Sequence, residues 1–189
     1  MSIKLISLLE ETINSQMTIF CDLDGVLVDF DKGYEALTGV QTNHASNQGS
    51  QHFWNLYRDS LKNKGISARD YWENLPWMPD GPKLWNYISK YNPYVLTAPA
   101  VDFTIPKPER YKVSHNESMQ GKTEWVKRLD NMKKIYFAAS SFKQQYSGKN
   151  KILIDDRKST IDAWNSKGGI GIFHTSSDNT IKQLQELSL

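Results

Sequence analysis

Apolar and β-branched residues fall in five short runs, and their spacing organises the chain. Met17 to Val28, MTIFCDLDGVLV, begins as a strand and is broken by Asp22, Asp24 and Gly25. Pro93 to Thr97 is a second buried run, closed by Ala98-Pro99. Ile135 to Ala138 is a third, Lys151 to Ile154 a fourth that ends in Asp155-Asp156, and Gly171 to His174 a fifth. Helical spacing lies between them. Lys122 to Asp130 puts Trp125, Val126 and Leu129 on one face. Ser159 to Lys167 opens with Ser159 and Asp162 at capping-box spacing and stops at Gly168-Gly169. Strands alternating with helices predict an α/β fold, a Rossmann-like, mostly parallel sheet with helices on both faces.

One stretch breaks the alternation. From residue 29 to 92 aromatics are spaced through polar sequence (Phe30, Tyr34, Phe53, Trp54, Tyr57, Tyr71, Trp72), which predicts several short helices inserted as a cap after the first strand. A polar loop, TGVQTNHASNQGSQ, separates two of them. Residues 99–121, with Pro99, Pro106 and Pro108, read as a long loop or short hairpin. Leu5, Leu8, Leu9 and Ile13 lie at helical spacing and predict a short amphipathic helix docking on the body or on a partner. The expected division is 1–16 as an N-terminal extension, 17–28 with 93–189 as the catalytic core, and 29–92 as the cap.

Composition narrows the class. The chain has 189 residues, enough for one domain with an insertion, and its 12% aromatic content supplies large apolar area for a core. A net charge of +2 argues against a protein that coats nucleic acid, though a local basic patch remains open. A single cysteine excludes an internal disulfide and Cys-rich zinc modules, in keeping with a reducing compartment such as the cytoplasm. No stretch approaches the roughly 20 apolar residues of a membrane span.

The chemistry gathers at the ends of the predicted strands: Asp22 and Asp24, Thr97, the basic stretch beginning at Lys143, and Asp155-Asp156. Open α/β sheets assemble their sites at this carboxyl edge. Singly, each residue has a plain role as a cap, a strand end or a solvated charge. Together, several carboxylates at one edge repel one another unless a cation sits among them. Hard oxygen ligands without His or Cys clustering point to Mg²⁺, which commonly shares its shell with a phosphate.

FCDLDGVLVDF resembles the first motif of the haloacid dehalogenase superfamily of Asp-x-Asp phosphatases. Thr97 in YVLTAPA resembles the second motif, Lys143 the third and ILIDDR the fourth. Within the superfamily the chain looks like the 5′(3′)-deoxyribonucleotidases and their phage or bacterial relatives, through DGVLVDFDKGYEAL, Phe53-Trp54, LTAP and LIDDR. The resemblance implies Asp22 as nucleophile and Asp24 as general acid and base, with Thr97 and Lys143 binding phosphate. It implies Mg²⁺ held by Asp22, the Asp24 backbone carbonyl and Asp156, with Asp155 sharing that role or bonded nearby. Phe30, Phe53 and Trp54 are expected to stack on a base, and Ala98 stands where the family tends to have Ser. The substrate expected is a small phosphomonoester, first a (deoxy)nucleoside monophosphate. A sugar phosphate or a polynucleotide end is the alternative, and the protein is expected to act as a monomer or homodimer away from membranes.

Gly121-Lys122-Thr123 resembles the end of a P-loop, but Asn116 stands where its first Gly belongs. The four histidines, 44, 52, 115 and 174, show no paired ligand spacing, and Cys21 inside the first strand reads as a small buried apolar residue. A phospho-acceptor signalling module also uses Asp, Mg²⁺, Thr and Lys, but with its acids in the reverse order.

Overall fold

The structure, a computed structural model, describes residues 17–42, 51–100 and 113–189. The expected N-terminal helix and part of the polar loop lie outside the described residues. β1 (Thr18–Cys21) is the central strand of a five-stranded parallel sheet, completed by β2 (Tyr94–Thr97), β3 (Lys134–Phe137), β4 (Lys151–Asp155) and β5 (Ile170–Phe173) in the order β3-β2-β1-β4-β5. The register sets Cys21 beside both Val95 and Ile154, Thr97 beside Phe137, and Asp155 beside Phe173. The strand ends are thereby aligned along one edge.

Period-two alternation divides the core between the two faces of the sheet. Ile19, Cys21, Val95, Ile152 and Ile154 join the larger apolar cluster, while Phe20, Leu96 and Leu153 pack with Ile161 and Trp164 on the other side. Between β1 and β2 the chain forms α1 (Phe30–Thr38), α2 (Gln51–Lys64), α3 (Ala68–Glu73) and α4 (Gly81–Ile88). After β2 come α5 (Val113–Trp125), α6 (Lys158–Ser166) and α7 (Ser177–Glu186). The helical insertion after the first strand is therefore present. Its last helix, α4, is tied to the core: the Ser177 N–H donates to Asp80 Oδ2 at 2.6 Å, and Lys83 pairs with Asp178.

Two helix expectations need correction. The helix expected over 122–130 runs instead over Val113–Trp125 and tightens into a 3₁₀ turn at Val126–Arg128. Residues 113–121 are thus helix, not loop; their sparse apolar positions give no helical stripe to read. The Ser159–Asp162 box does not cap α6. The N-cap is Arg157, with no side-chain cap bond, so Ser159 lies inside the first turn. Here the chain enters the helix directly from β4, and the Arg157 N–H donates to Asp155 Oδ1 at 2.9 Å. The stop at Gly168 is as expected: its φ of 82° is one a side chain disfavours, and its N–H donates to the Asn165 carbonyl.

Candidate active site

A reversal of the chain after β1 builds the first part of the site. Asp22 N–H continues the sheet pairing to the Ile154 carbonyl at 2.9 Å, and its Oδ1 accepts from the Leu23 N–H at 2.8 Å. The Leu23 carbonyl then accepts from the N–H groups of Val26, Leu27 and Val28. Gly25 permits so tight a turn because it adopts φ 77°. The side chains of Asp22 and Asp24 are held at the edge while Leu23, Val26 and Leu27 plug the core beneath them.

Lys143 comes from the 3₁₀ segment Ser140–Tyr146 after β3, and its side chain is 1% exposed. Its Nζ lies 2.6 Å from Asp22 Oδ2 and 2.7 Å from Asp155 Oδ2. Burial disfavours the charged ammonium, but the Asp155 and Asp22 carboxylates outweigh it and raise the Lys143 pKa. Burial also pushes the Asp22 carboxyl up, yet the Lys143 charge and hydrogen bond, aided by the Lys122 charge and the Leu23 N–H, hold it below its usual value. Asp155 behaves oppositely. Its burial, against the pull of Lys143 and with the repulsion of Asp22, raises it to about 7. One ammonium serving two carboxylates leaves Asp22 the ionised partner.

Asp155 and Asp156 follow each other at the end of β4, and Asp22, Asp155 and Asp156 each bring a carboxylate oxygen within 4.8 Å of the others. Asp24 Oδ1 is a buried oxygen with no hydrogen-bond partner. A small divalent cation fits the Asp22, Asp155 and Asp156 set, because all its donors are hard carboxylate oxygens gathered at one edge.

The second ammonium is one that the strand-end reading missed. Lys122, on α5 and 2% exposed, donates to Asp24 Oδ2 at 2.6 Å, to Thr97 Oγ1 at 3.1 Å and to the Ala98 carbonyl at 2.7 Å. Its signal in the sequence was Gly121-Lys122-Thr123. That triplet lies within a helix and forms no phosphate loop. Thr97 and Ala98, expected to meet phosphate, are placed beside it at the end of β2.

The cap aromatics are buried. Phe30, Phe53 and Trp54 are 0%, 5% and 6% exposed. Phe30 stacks on Trp72 with centroids 5.1 Å apart, and Phe53 stacks on Tyr34 at 4.1 Å. The three rings expected to stack on a base are packed among the aromatics of α1, α2 and α3, and α3 in turn packs against α5. Cys21 is buried, and burial raises its thiol pKa, which agrees with a structural role. His174 is buried too, with Nδ1 2.8 Å from Thr180 Oγ1, and burial lowers its pKa.

No family model matches the chain, and no curated protein does. Among solved structures, it is similar to a haloacid dehalogenase-like family hydrolase from Streptococcus pneumoniae at 14% identity and TM-score 0.48, covering 90% of this chain and 92% of that one. It is also similar to a dehalogenase solved with an intermediate complex, at 12% identity and TM-score 0.49 over 83% and 84% of the two chains. A phosphonoacetaldehyde hydrolase-like protein from Oleispira antarctica matches at 10% identity and TM-score 0.45 over 92% and 78%. Likeness of this degree assigns neither a substrate nor a residue's role. No helix among the described residues is long and apolar enough to cross a membrane.

Proposed function

We propose that the protein is a Mg²⁺-dependent phosphomonoester hydrolase that works through an aspartyl-phosphate on Asp22. The observation that carries this reading is the Asp22–Lys143–Asp155 cluster, with contacts of 2.6 and 2.7 Å made by residues from separate strand ends. An ionised carboxylate held at a sheet edge beside a buried ammonium suits attack on phosphorus. Asp22, Asp156 and the Asp24 carbonyl oxygen would hold the cation, with Asp155 behind them between Lys143 and the Arg157 N–H. When bound, the cation would offset charge on the phosphate.

The steps follow from the residues. An oxygen of Asp22 bonds to phosphorus as the bond from phosphorus to the leaving oxygen breaks. Asp24 gives that oxygen a proton, so an alcohol departs. Asp24 then takes a proton from water as the water oxygen attacks the phosphorus; the acyl-phosphate bond breaks, Asp22 is restored and inorganic phosphate leaves. Lys143 and the Thr97 hydroxyl hold phosphate oxygens throughout.

The resemblance to deoxyribonucleotidases makes (deoxy)nucleoside monophosphates the first substrates to test. The burial of Phe30, Phe53 and Trp54 withdraws the support that open rings would have lent, so sugar phosphates and 3′-phosphorylated oligonucleotides belong in the same screen. The test is phosphate release from these three classes with Mg²⁺ and with EDTA. Mg²⁺-dependent multiple turnover of any of them supports the hydrolase reading. Phosphorylation that stops at one equivalent, without release, would turn it towards a phospho-acceptor module.

A further inference from the structure

The geometry points to Lys122 as a positioning residue that fixes which oxygen of Asp24 exchanges protons with the leaving group, and that ties this choice to the cap. The inference rests on the hydrolase reading above. All three ammonium protons have acceptors: Asp24 Oδ2, Thr97 Oγ1 and the Ala98 carbonyl, at 2.6, 3.1 and 2.7 Å. With Oδ2 engaged, Asp24 Oδ1 is left buried and without a partner. An oxygen so placed is costly to keep unless something pairs with it in another state of the site. The leaving oxygen is that partner, so Oδ1 is the atom that gives and later takes the proton.

Lys122 is held by the cap as well as by the core. Its Nζ lies 4.5 Å from the centroid of the Trp72 ring on α3, a cation–π contact strengthened by burial. The neighbouring Gly121 lets α5 approach α3 closely: a Cβ there would fall 2.6 Å from Trp72 Cβ and 3.0 Å from Glu73 N. Beyond it, Trp125 Nε1 donates to the Leu75 carbonyl at 2.8 Å and Arg128 donates to the Glu73 carbonyl at 2.8 Å. The ammonium that aims Asp24 is therefore seated by the same helix pair that joins insertion to core. A shift of α3 would move Lys122, and with it the acid.

The experiment compares wild type, Lys122→Met, Asp24→Asn and the double variant, each with Mg²⁺, on an alkyl phosphate and on p-nitrophenyl phosphate. Only the alkyl substrate has a leaving group that needs the proton. Lys122→Met should lower kcat on the alkyl phosphate about 10- to 100-fold, and on p-nitrophenyl phosphate no more than about threefold, a split that loss of fold would not give. In the Asp24→Asn background the added Lys122→Met should change kcat by less than about threefold, because a residue acting through Asp24 has nothing left to aim. A Lys122→Met variant with wild-type kcat on the alkyl phosphate overturns the inference. An equal loss on both substrates in a folded variant, or a double variant ten times slower than Asp24→Asn (beyond the threefold scatter of independent sites), overturns it also. If Lys122→Met alone does not fold, because it strands a buried carboxylate, the double variant removes both charges, and its comparison with Asp24→Asn decides. A wild type that releases phosphate from neither substrate removes the hydrolase reading itself, and this inference with it.

Discussion

Lys143 brings its ammonium to 2.6 Å from the Asp22 carboxylate, and the same ammonium lies 2.7 Å from Asp155. Asp22 ends the central strand, Asp155 ends its neighbour, and Lys143 stands on the 3₁₀ segment between β3 and β4. Their meeting depends on the parallel register of three strands. It also leaves Asp22 ionised in a buried setting, the state a nucleophilic carboxylate needs.

Asp22→Asn should abolish phosphate release while leaving the protein folded, since the two side chains are nearly isosteric and Lys143 keeps its pairing with Asp155. Asp24→Asn should slow an alkyl phosphate by roughly 10²–10⁴-fold and p-nitrophenyl phosphate much less. Steady-state rates on the two substrates check both expectations; an equal loss on both by Asp24→Asn would count against its acid role.

On the proposed Mg²⁺-dependent hydrolase reading, EDTA should abolish phosphate release and added Mg²⁺ should restore it. Asp156→Ala should weaken Mg²⁺ binding more than Asp155→Ala, because Asp155 already accepts from Lys143 and from the Arg157 N–H. Mg²⁺ titrations of activity, after treatment with EDTA, rank the two. The opposite ranking would place Asp155 on the metal.

The raised pKa of Asp155 sets a pH window for stability without metal. A carboxyl at about 7 in the folded protein favours its neutral form there, so its contribution is full below the unfolded value near 3.8 and fades as pH rises through about 7. Asp22, held low, has the opposite sign: its contribution is present above about 4 and is lost only as pH falls below that. On the proposed reading Mg²⁺ would bind the ionised carboxylates, so its stabilising effect should grow between pH 5 and pH 8. Thermal melts at four pH values, with Mg²⁺ and with EDTA, measure this. An equal Mg²⁺ shift at pH 5 and pH 8 would contradict it.

Phe30→Ala should destabilise the fold by about 3–5 kcal/mol, the usual result of deleting a fully buried ring. Urea unfolding gives the value. A variant as stable as wild type whose KM rises for nucleotides alone would return Phe30 to a base-stacking role.

Gly121→Ala should cost about 1–3 kcal/mol, because the added methyl meets the backbone of α3 as well as Trp72 Cβ. Gly39→Ala makes the useful contrast: nothing stands within 4 Å of its Cβ position, so any loss there comes from its φ of 75° alone. Unfolding curves of the two variants separate crowding from backbone strain.

The sequence by itself determined the sheet and which residues stand at its carboxyl edge. Runs such as TIFC, YVLT and KILID are short, β-branched and closed by acids or Thr, and a parallel sheet aligns such closures at one edge. Asp22, Thr97 and Asp155-Asp156 were legible for that reason, and Lys143 through its place before the fourth strand. Only the tertiary structure decided the rest. Phe30, Phe53 and Trp54 carry the same pattern whether they face a cleft or one another, and burial resolved it towards one another. Lys122 stands at no strand end, and the one local signal, Gly121-Lys122-Thr123, pointed to a phosphate loop and not to a carboxylate partner. Its role arises from Gly121, which lets α5 close on α3 and carries the ammonium to Asp24, Thr97 and Ala98. Local periodicity records which face a residue takes along its own element. Which charges meet across elements is set by how closely those elements can approach.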